Sequence, residues 1–204
     1  MRSFPSRRCC GRHQVSAAPN RPVTYLITFD EDTVTAKLTV IFPSAGLQAT
    51  GPSNGDCSSS TGQVYSRSAA YSNGDFAIMY AWYWPKDEPT DVIGGHRHDW
   101  ESVVVWLNGA QTKVVGAAAS QHGGFVTTTT PNFSGNTPLF VYASNGILDH
   151  DLDFTSTVGG QQPLIAYESL PAVALAALEN TDWGSANVPF TDNNFLTNLG
   201  EAAL

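Results

Sequence analysis

The stretch GHRHDWE (residues 95–101) contains two histidines, one arginine and two carboxylates, although only 14% of the 204 residues are charged. If residues 99–105 form a β-strand, alternate side chains share a face, so Asp99 and Glu101 lie close together. Two carboxylates at that separation repel each other unless one binds a proton or a cation lies between them. The stretch is therefore a candidate metal-binding or catalytic site.

Other polar side chains can join this pair. The preceding glycines, at 94–95, give the chain the freedom to turn His96 toward the same place. Asp87 lies upstream in a proline-bounded segment and can close over the site. His122 precedes another pair of glycines at the end of the next predicted strand, so we expect it at the same rim. Together these residues predict a cluster of ligands at one end of a sheet.

The candidate ligands offer mainly carboxylate oxygen and one imidazole, and they are Asp87, His96, Asp99 and Glu101. Oxygen-rich sites suit hard cations such as Ca²⁺, Mg²⁺ or Mn²⁺. Zinc more often recruits several histidines or cysteines. On the opposite face of the strand, His98 and Trp100 are expected to pack or to support the ligands.

Two other interpretations remain open at this point. In the first, the stretch is a solvated loop in which Arg97 forms a salt bridge with a carboxylate and the core satisfies His98. In the second, the protein is a metal-dependent hydrolase with Glu101 or His122 as general base beside an open coordination position. The sequence contains no Gly-x-Ser-x-Gly nucleophile motif and no phosphate-binding loop.

The composition narrows the classes of partner. The net charge of −8 disfavours nucleic acid and general attraction to anionic lipid, so contact with a membrane would need a recognised head group or a bridging cation. No apolar run approaches the ~18–20 residues of a membrane span. The basic start of the chain lacks the apolar section of an export signal, so no signal peptide is recognisable. Cys57 can pair with Cys9 or Cys10, and a reduced chain is equally compatible.

Short strands separated by turns dominate the predicted elements. Strands are expected at 23–29, 33–42, 76–84, 100–108, 112–120, 125–130 and 138–144, with loops at 43–61 and 85–95. The strand at 76–84 has the composition of one buried on both faces. An Asn-Gly pair at 108–109 predicts a two-residue hairpin turn. We expect a twisted antiparallel β-sandwich.

One strong helix is expected within residues 168–180, capped by Ser169 and with Pro171 in its first turn. A short amphipathic helix is expected from about residue 192. Residues 1–22 are expected to be a disordered tail, and residues 23–204 a single domain with these helices packed outside the sandwich.

The stretch GHRHDWE, together with the preceding segment AIMYAWYWPKD (77–87), resembles the signature blocks of the necrosis- and ethylene-inducing-like proteins (NLPs). These are cytolysins secreted by microbes that colonise plants. Weaker similarity continues through LQATGPSNGDC, VYSRSA, QPLIAYESLP, DWGSANVPF and DNNF, so that the resemblance covers about residues 46–198. The family's usual disulfide joins Cys57 to an upstream cysteine in an NGC context, and that upstream segment is missing here.

The resemblance implies a non-enzymatic toxin with a β-sandwich fold similar to actinoporins and some fungal lectins. It implies a divalent cation at one pole, with ligands that carry over to Asp87, His96, Asp99 and Glu101. It also implies nearby roles for His122 and for the pair Asp149 and His150. The expected partners are glycosylinositol phosphorylceramide sphingolipids of the plant plasma membrane, which the protein would then damage, acting outside the producing cell and as a monomer. The segment Ala77–Asp87 resembles the fragment that plant immune receptors detect. The alternative within the family is a non-toxic member that binds sugar or lipid, or is recognised as an immunogen.

Overall fold

Alternating β-branched, aromatic and small residues make strands the main element of the computed structural model, which describes residues 37–40, 63–87, 96–144 and 150–204. The described strands are β1 (Lys37–Val40), β2 (Val64–Ala70), β3 (Phe76–Asp87), β4 (His96–Leu107), β5 (Val114–Gln121), β6 (Gly124–Thr128), β7 (Phe133–Ser134), β8 (Thr137–Ser144), β9 (His150–Phe154), β10 (Gly160–Gln161) and β11 (Leu164–Ala166). The predicted tail, the strand at 23–29, the loop at 43–61 and the three cysteines lie outside the described residues.

Two sheets form the predicted sandwich. The larger sheet has the order β11-β2-β3-β4-β5-β6, and the other joins β10, β1, β8 and β7, with β9 also pairing with β8. The expected β-sandwich is confirmed, and most of its described strand pairs are antiparallel; the parallel pairs are β1 with β8 and β11 with β2. In both pairs the strands are distant in sequence, so no hairpin forces them to run in opposite directions.

The strands β3 and β4 are buried on both faces, as predicted for 76–84. Their inner faces meet the second sheet in one apolar core, formed by Ile78, Tyr80, Trp82, Trp84, Val103, Val105, Leu107, Phe140, Tyr142 and Leu152. Their outer faces pack against the C-terminal part of the chain in a second core, which includes Met79, Trp100, Val104, Trp106, Phe190, Phe195 and Leu199. The chain thus holds β3 and β4 rigidly between two layers.

Three predicted boundaries differ from the structure. Residues 85–87 continue β3 and do not belong to a loop, and β4 begins at His96, so most of the GHRHDWE stretch lies within a paired strand. The turn after β4 is longer than the predicted Asn-Gly hairpin, since β5 begins at Val114. The Asn108 side chain explains this, because its Oδ1 accepts hydrogen bonds from the backbone N–H groups of Thr112 and Lys113.

The C-terminal helices cover the outer face of the larger sheet. The first, α1 (Ala172–Asn180), follows a 3₁₀ turn at Tyr167–Ser169, and the second, α2 (Phe195–Glu201), lies close to the expected position. The predicted cap by Ser169 is wrong, because Pro171 precedes the first helical residue and no side chain caps the helix. No described helix is long and apolar enough to cross a membrane.

Candidate functional site

One buried hydroxyl at an end of the sandwich lies within the electrostatic influence of three carboxylates from β3 and β4. The Tyr142 hydroxyl of β8 donates a 2.7 Å hydrogen bond to Oδ2 of Asp99, whose side chain is buried. Burial raises the pKa of Tyr142 well above its ordinary value, and the negative charges of Asp99, Asp87 and Glu101 add to that effect. All three carboxylates are therefore close enough to influence the same group. We name this set of four side chains the acidic pole.

Asp87 is anchored to the second sheet. It is fully buried, and its Oδ1 lies 2.5 Å from the imidazole Nδ1 of His150, while its Oδ2 accepts a 3.2 Å hydrogen bond from the backbone N–H of His150. His96 approaches from β4, with Nε2 at 3.8 Å from Oδ2 of Asp87. Unlike Asp87, the His96 side chain is exposed to solvent. The structure thus brings one buried and one accessible histidine to the same carboxylate.

Glu101 connects the acidic pole to β5, and His122 lies beyond it in the hairpin between β5 and β6. The hydroxyl of Ser120 donates to Oε2 of Glu101 and accepts a 2.8 Å hydrogen bond from the backbone N–H of Ser102. His122 occupies the turn of that hairpin, with its Nε2 at 3.4 Å from Oδ2 of the buried Asp151. This turn lies at the same end of the sheet as Glu101, and a role for His122 in the site stays a prediction.

On the face of β4 opposite Asp99 and Glu101, His98 and Trp100 pack against other aromatic side chains, as expected. The Tyr83 hydroxyl lies 2.7 Å from His98 Nδ1, and the Trp183 ring meets the His98 ring at 88°. Trp100 is buried between Tyr83, Trp183 and Phe190. Both side chains therefore pack in the outer core, while the backbone oxygen of His98 lies 3.1 Å from Nδ1 of His96.

Two predicted site residues fall outside what the structure describes: the whole of Asp149 and the side chain of Arg97. The proposed salt bridge of Arg97 therefore stays a prediction. Conversely, sequence reasoning missed Tyr142, Asp151 and Ser120. No spacing in the sequence connects β8 with the GHRHDWE stretch, and only the pairing of sheets brings Tyr142 to Asp99.

The donor types are suited to a hard divalent cation, because such ions prefer carboxylate oxygens and the set offers three carboxylates and one imidazole. Within residues 63–87, 96–144 and 150–204, however, no three His, Cys, Asp or Glu side chains lie close enough together to form a metal site. Asp87, Asp99 and Glu101 instead bond to His150, Tyr142 and Ser120, respectively. Cation binding therefore remains a proposal.

Comparisons with known proteins agree with the resemblance seen in the sequence. The sequence profile of the Necrosis inducing protein (NPP1) family matches residues 42–202. The Necrosis-inducing protein NPP1 of Phytophthora nicotianae is 43% identical over 168 residues, which span 78% of this chain and 70% of the relative. These descriptions name a necrosis-inducing protein and no catalytic activity.

Two solved structures share the fold. NLPPya in complex with mannosamine superposes with a TM-score of 0.72 and is 42% identical, covering 83% of this chain and 87% of NLPPya. The non-toxic HaNLP3 protein superposes with a TM-score of 0.74 at 33% identity, covering 83% of this chain and 88% of HaNLP3. The profile match, the sequence identity and the shared β-sandwich lead to one conclusion: this chain belongs to the NPP1 family of necrosis-inducing proteins.

Proposed function

We propose that this protein is a secreted cytolysin that binds a divalent cation at the acidic pole and uses it to hold a sphingolipid head group of the plant plasma membrane. The observation that carries the proposal is that two stacked rings hold two buried carboxylates at the same end of the sandwich: His150 contacts Asp87, Tyr142 donates to Asp99, and the ring centroids of His150 and Tyr142 are 5.1 Å apart. Like charges in such a buried position repel each other, and a cation bound beside them would reduce that repulsion. Membership of a family of necrosis-inducing proteins supports a toxic action on plant cells.

The proposed ligands are Asp87, His96, Asp99 and Glu101, with Ca²⁺ or Mg²⁺ favoured and Mn²⁺ also compatible with the donor set. Bound there, the cation would neutralise the carboxylates and offer a positive centre to an anionic ligand. His122, which contacts the buried Asp151, would line the rim around it, and the buried His150 would hold Asp87 in place. This arrangement would let a protein with a net charge of −8 bind an anionic head group.

The proposed head group is the sugar-phosphate part of glycosylinositol phosphorylceramides. A relative of 42% identity has been solved in complex with mannosamine, which supports a sugar as part of the ligand. After the head group is bound, we propose that neighbouring loops contact and damage the bilayer.

Leakage of dye from vesicles that contain plant glycosylinositol phosphorylceramides tests the proposal. We expect leakage to stop in chelator and to return with Ca²⁺ or Mg²⁺. Asp99→Ala and Glu101→Ala should each abolish leakage and weaken Ca²⁺ binding in calorimetry. Asp153→Ala is the matched control, because Asp153 is an exposed carboxylate on β9, and it should keep both properties. Leakage that persists in chelator, or in both pole variants, would refute the proposal.

A non-toxic role is the second candidate, since HaNLP3 has this fold and is described as non-toxic. In that case the protein would bind the sphingolipid vesicles without causing leakage. A metal-dependent hydrolase is the third candidate, with Glu101 or His122 as base. It would release product from a glycosidic or phosphodiester substrate, and Glu101→Gln would stop that release.

We also propose that a plant immune receptor detects Ala77–Asp87 only after the protein has been opened or cleaved. This segment is strand β3, and its residues Ala77, Met79, Ala81 and Asp87 have no exposed surface. A receptor could not reach them while β3 is paired on both sides. The isolated peptide should therefore trigger an immune response at concentrations where intact, protease-protected protein does not, and equal potency of the two would contradict this proposal.

A further inference from the structure

The acidic pole depends on a reversal of side-chain direction near the ends of β3 and β4. In β3 the even-numbered residues from Ile78 to Trp84 face the inner core, while Met79 and Ala81 face the outer core. Regular alternation would therefore point Asp87 outward. Instead Asp87 contacts His150, which belongs to the opposite sheet and stacks on Tyr142 within the sandwich. The alternation of β3 thus reverses between Trp84 and Asp87.

The same reversal occurs in the partner strand. Trp100, Val104 and Trp106 of β4 face the outer core, so regular alternation would also point His96 outward. His96 instead approaches Asp87, with 3.8 Å between Nε2 and Oδ2. These two residues are directly paired, and the register between β3 and β4 does not shift between Trp84↔Asp99 and Asp87↔His96. A slip of one residue therefore does not explain the reversal, and a local change in backbone conformation does.

That change lies at His98, which has a φ of +64°. A β-strand needs a negative φ, and a residue with a side chain enters the left-handed region only at a cost. The pairing of β3 with β4 skips this position, between Trp84↔Asp99 and Lys86↔Arg97, where β3 contains Pro85, a residue with no N–H group to continue the ladder. The His98 imidazole is held on the outer face by the Tyr83 hydroxyl and the Trp183 ring. The residues after His98 keep the regular alternation, so that Asp99 and Glu101 face the inner core. Before His98 the alternation is reversed, so that His96 also faces inward, toward Asp87.

We propose that His98 is the positioning residue of the acidic pole: its left-handed backbone reverses the side-chain direction so that Asp87 and His96 join Asp99 and Glu101 on one face. His98 acts through the path of the two strands, and its backbone oxygen lies 3.1 Å from Nδ1 of His96, one of the proposed ligands. The role in cation binding rests on the proposed function, whereas the role in placing Asp87 against His150 does not.

Substitutions at position 98 separate backbone conformation from side-chain chemistry. Glycine enters the left-handed region readily and asparagine does so more easily than most residues, whereas β-branched valine strongly resists it. His98→Gly and His98→Asn should therefore preserve the acidic pole, and His98→Val should disrupt it. His98→Ala, with an intermediate preference, provides a second disruptive variant if the valine variant does not fold.

The direct readout is hydrogen exchange of the His150 backbone amide, which donates to Asp87 Oδ2 only while Asp87 faces inward. In His98→Val we expect this exchange to accelerate by about tenfold or more, which matches the cost of forcing a left-handed residue. His98→Ala should show a smaller acceleration in the same direction. The amide of Val104, deep in β4, is the internal control and should not change. Ca²⁺ affinity measured by calorimetry should fall in the same variants and stay near wild type in His98→Gly and His98→Asn.

Two results would overturn the proposal. One is unchanged His150 exchange in both His98→Val and His98→Ala, and the other is equal acceleration in the glycine and asparagine variants. If the wild-type protein binds no Ca²⁺, Mg²⁺ or Mn²⁺, the proposed function fails, and the exchange of His150 still decides the positioning role.

Discussion

The hydrogen bond between Tyr142 and Asp99 offers the sharpest test of the energetics of the acidic pole. Tyr142→Phe removes only the hydroxyl, which donates to Asp99 Oδ2 at 2.7 Å. The ring can stay in place, because it stacks on Trp84 with 4.0 Å between centroids and on His150 with 5.1 Å. Asp99 then loses a donor in a buried position where water does not readily replace it.

A hydrogen bond to a charged group contributes about 1.5–3 kcal/mol, so we expect the free energy of unfolding to fall by that amount. In a domain of this size each kcal/mol shifts the melting temperature by about 2–4 °C. The melting temperature of Tyr142→Phe in chelator should therefore lie about 3–12 °C below that of the wild-type protein.

Urea and thermal unfolding in chelator measure this difference. Tyr71→Phe is the matched control, because Tyr71 packs edge-on against Trp106 on the outer face, away from the acidic pole. If Tyr142→Phe and Tyr71→Phe change stability equally, the hydroxyl does not stabilise Asp99 and the reasoning fails.

The same variant predicts a specific dependence on pH. The pKa of Tyr142 is raised well above its ordinary value of 10.0, so below about pH 10 the hydroxyl is protonated in both states and its stabilisation is complete. Above that pH the unfolded tyrosine ionises while the folded one does not, and stability falls by about 1.4 kcal/mol per pH unit. Wild-type protein should lose its advantage over Tyr142→Phe between about pH 10 and 12. An advantage that stays constant over this range would contradict a raised pKa.

Two further substitutions test the packing of the scaffold. Gly116→Ala should lower the free energy of unfolding in urea by about 1–3 kcal/mol, because the added Cβ would lie 2.7 Å from the backbone oxygen of Thr128. Gly124→Ala is the control and should be nearly neutral, since its nearest neighbour would be at 3.8 Å. Arg67→Lys should lower the free energy of unfolding by about 0.5–1.5 kcal/mol, because it weakens the 2.8 Å hydrogen bond to the Phe190 carbonyl oxygen. Unchanged hydrogen exchange around residue 190 would contradict this prediction.

The sequence predicted side-chain direction and burial correctly where these depend on neighbouring residues alone. Alternation placed Asp99 and Glu101 near each other and sent Trp100 to the opposite face, because the side-chain period of a strand is set by its backbone. The apolar composition of 76–84 correctly indicated burial on both faces. The family also followed from contiguous residues, since GHRHDWE and AIMYAWYWPKD are each unbroken in the chain.

Predictions were wrong where a side chain or a distant strand competed with the local pattern. The Asn108 side chain bonds to the backbone of the following loop, which replaces the expected two-residue turn. Pro85 was interpreted as the start of a loop, yet pairing with β4 carries β3 on to Asp87. The parallel pairings of β1 and β11 could not be predicted. In each pair the two strands are far apart in the chain, with several other strands between them.

The sequence by itself determined the sandwich and the family, and it predicted which residue types could bind a cation. Only the tertiary structure decided that Asp87 meets His150, that Tyr142 donates to Asp99, and that His98 is left-handed. The reason is physical: the alternation of side chains is a local property of a regular strand, but the sequence pattern does not reveal where a residue with a side chain takes a left-handed backbone and reverses that alternation. The acidic pole depends on such a reversal, so it becomes visible only after both sheets and the outer aromatic layer are in place.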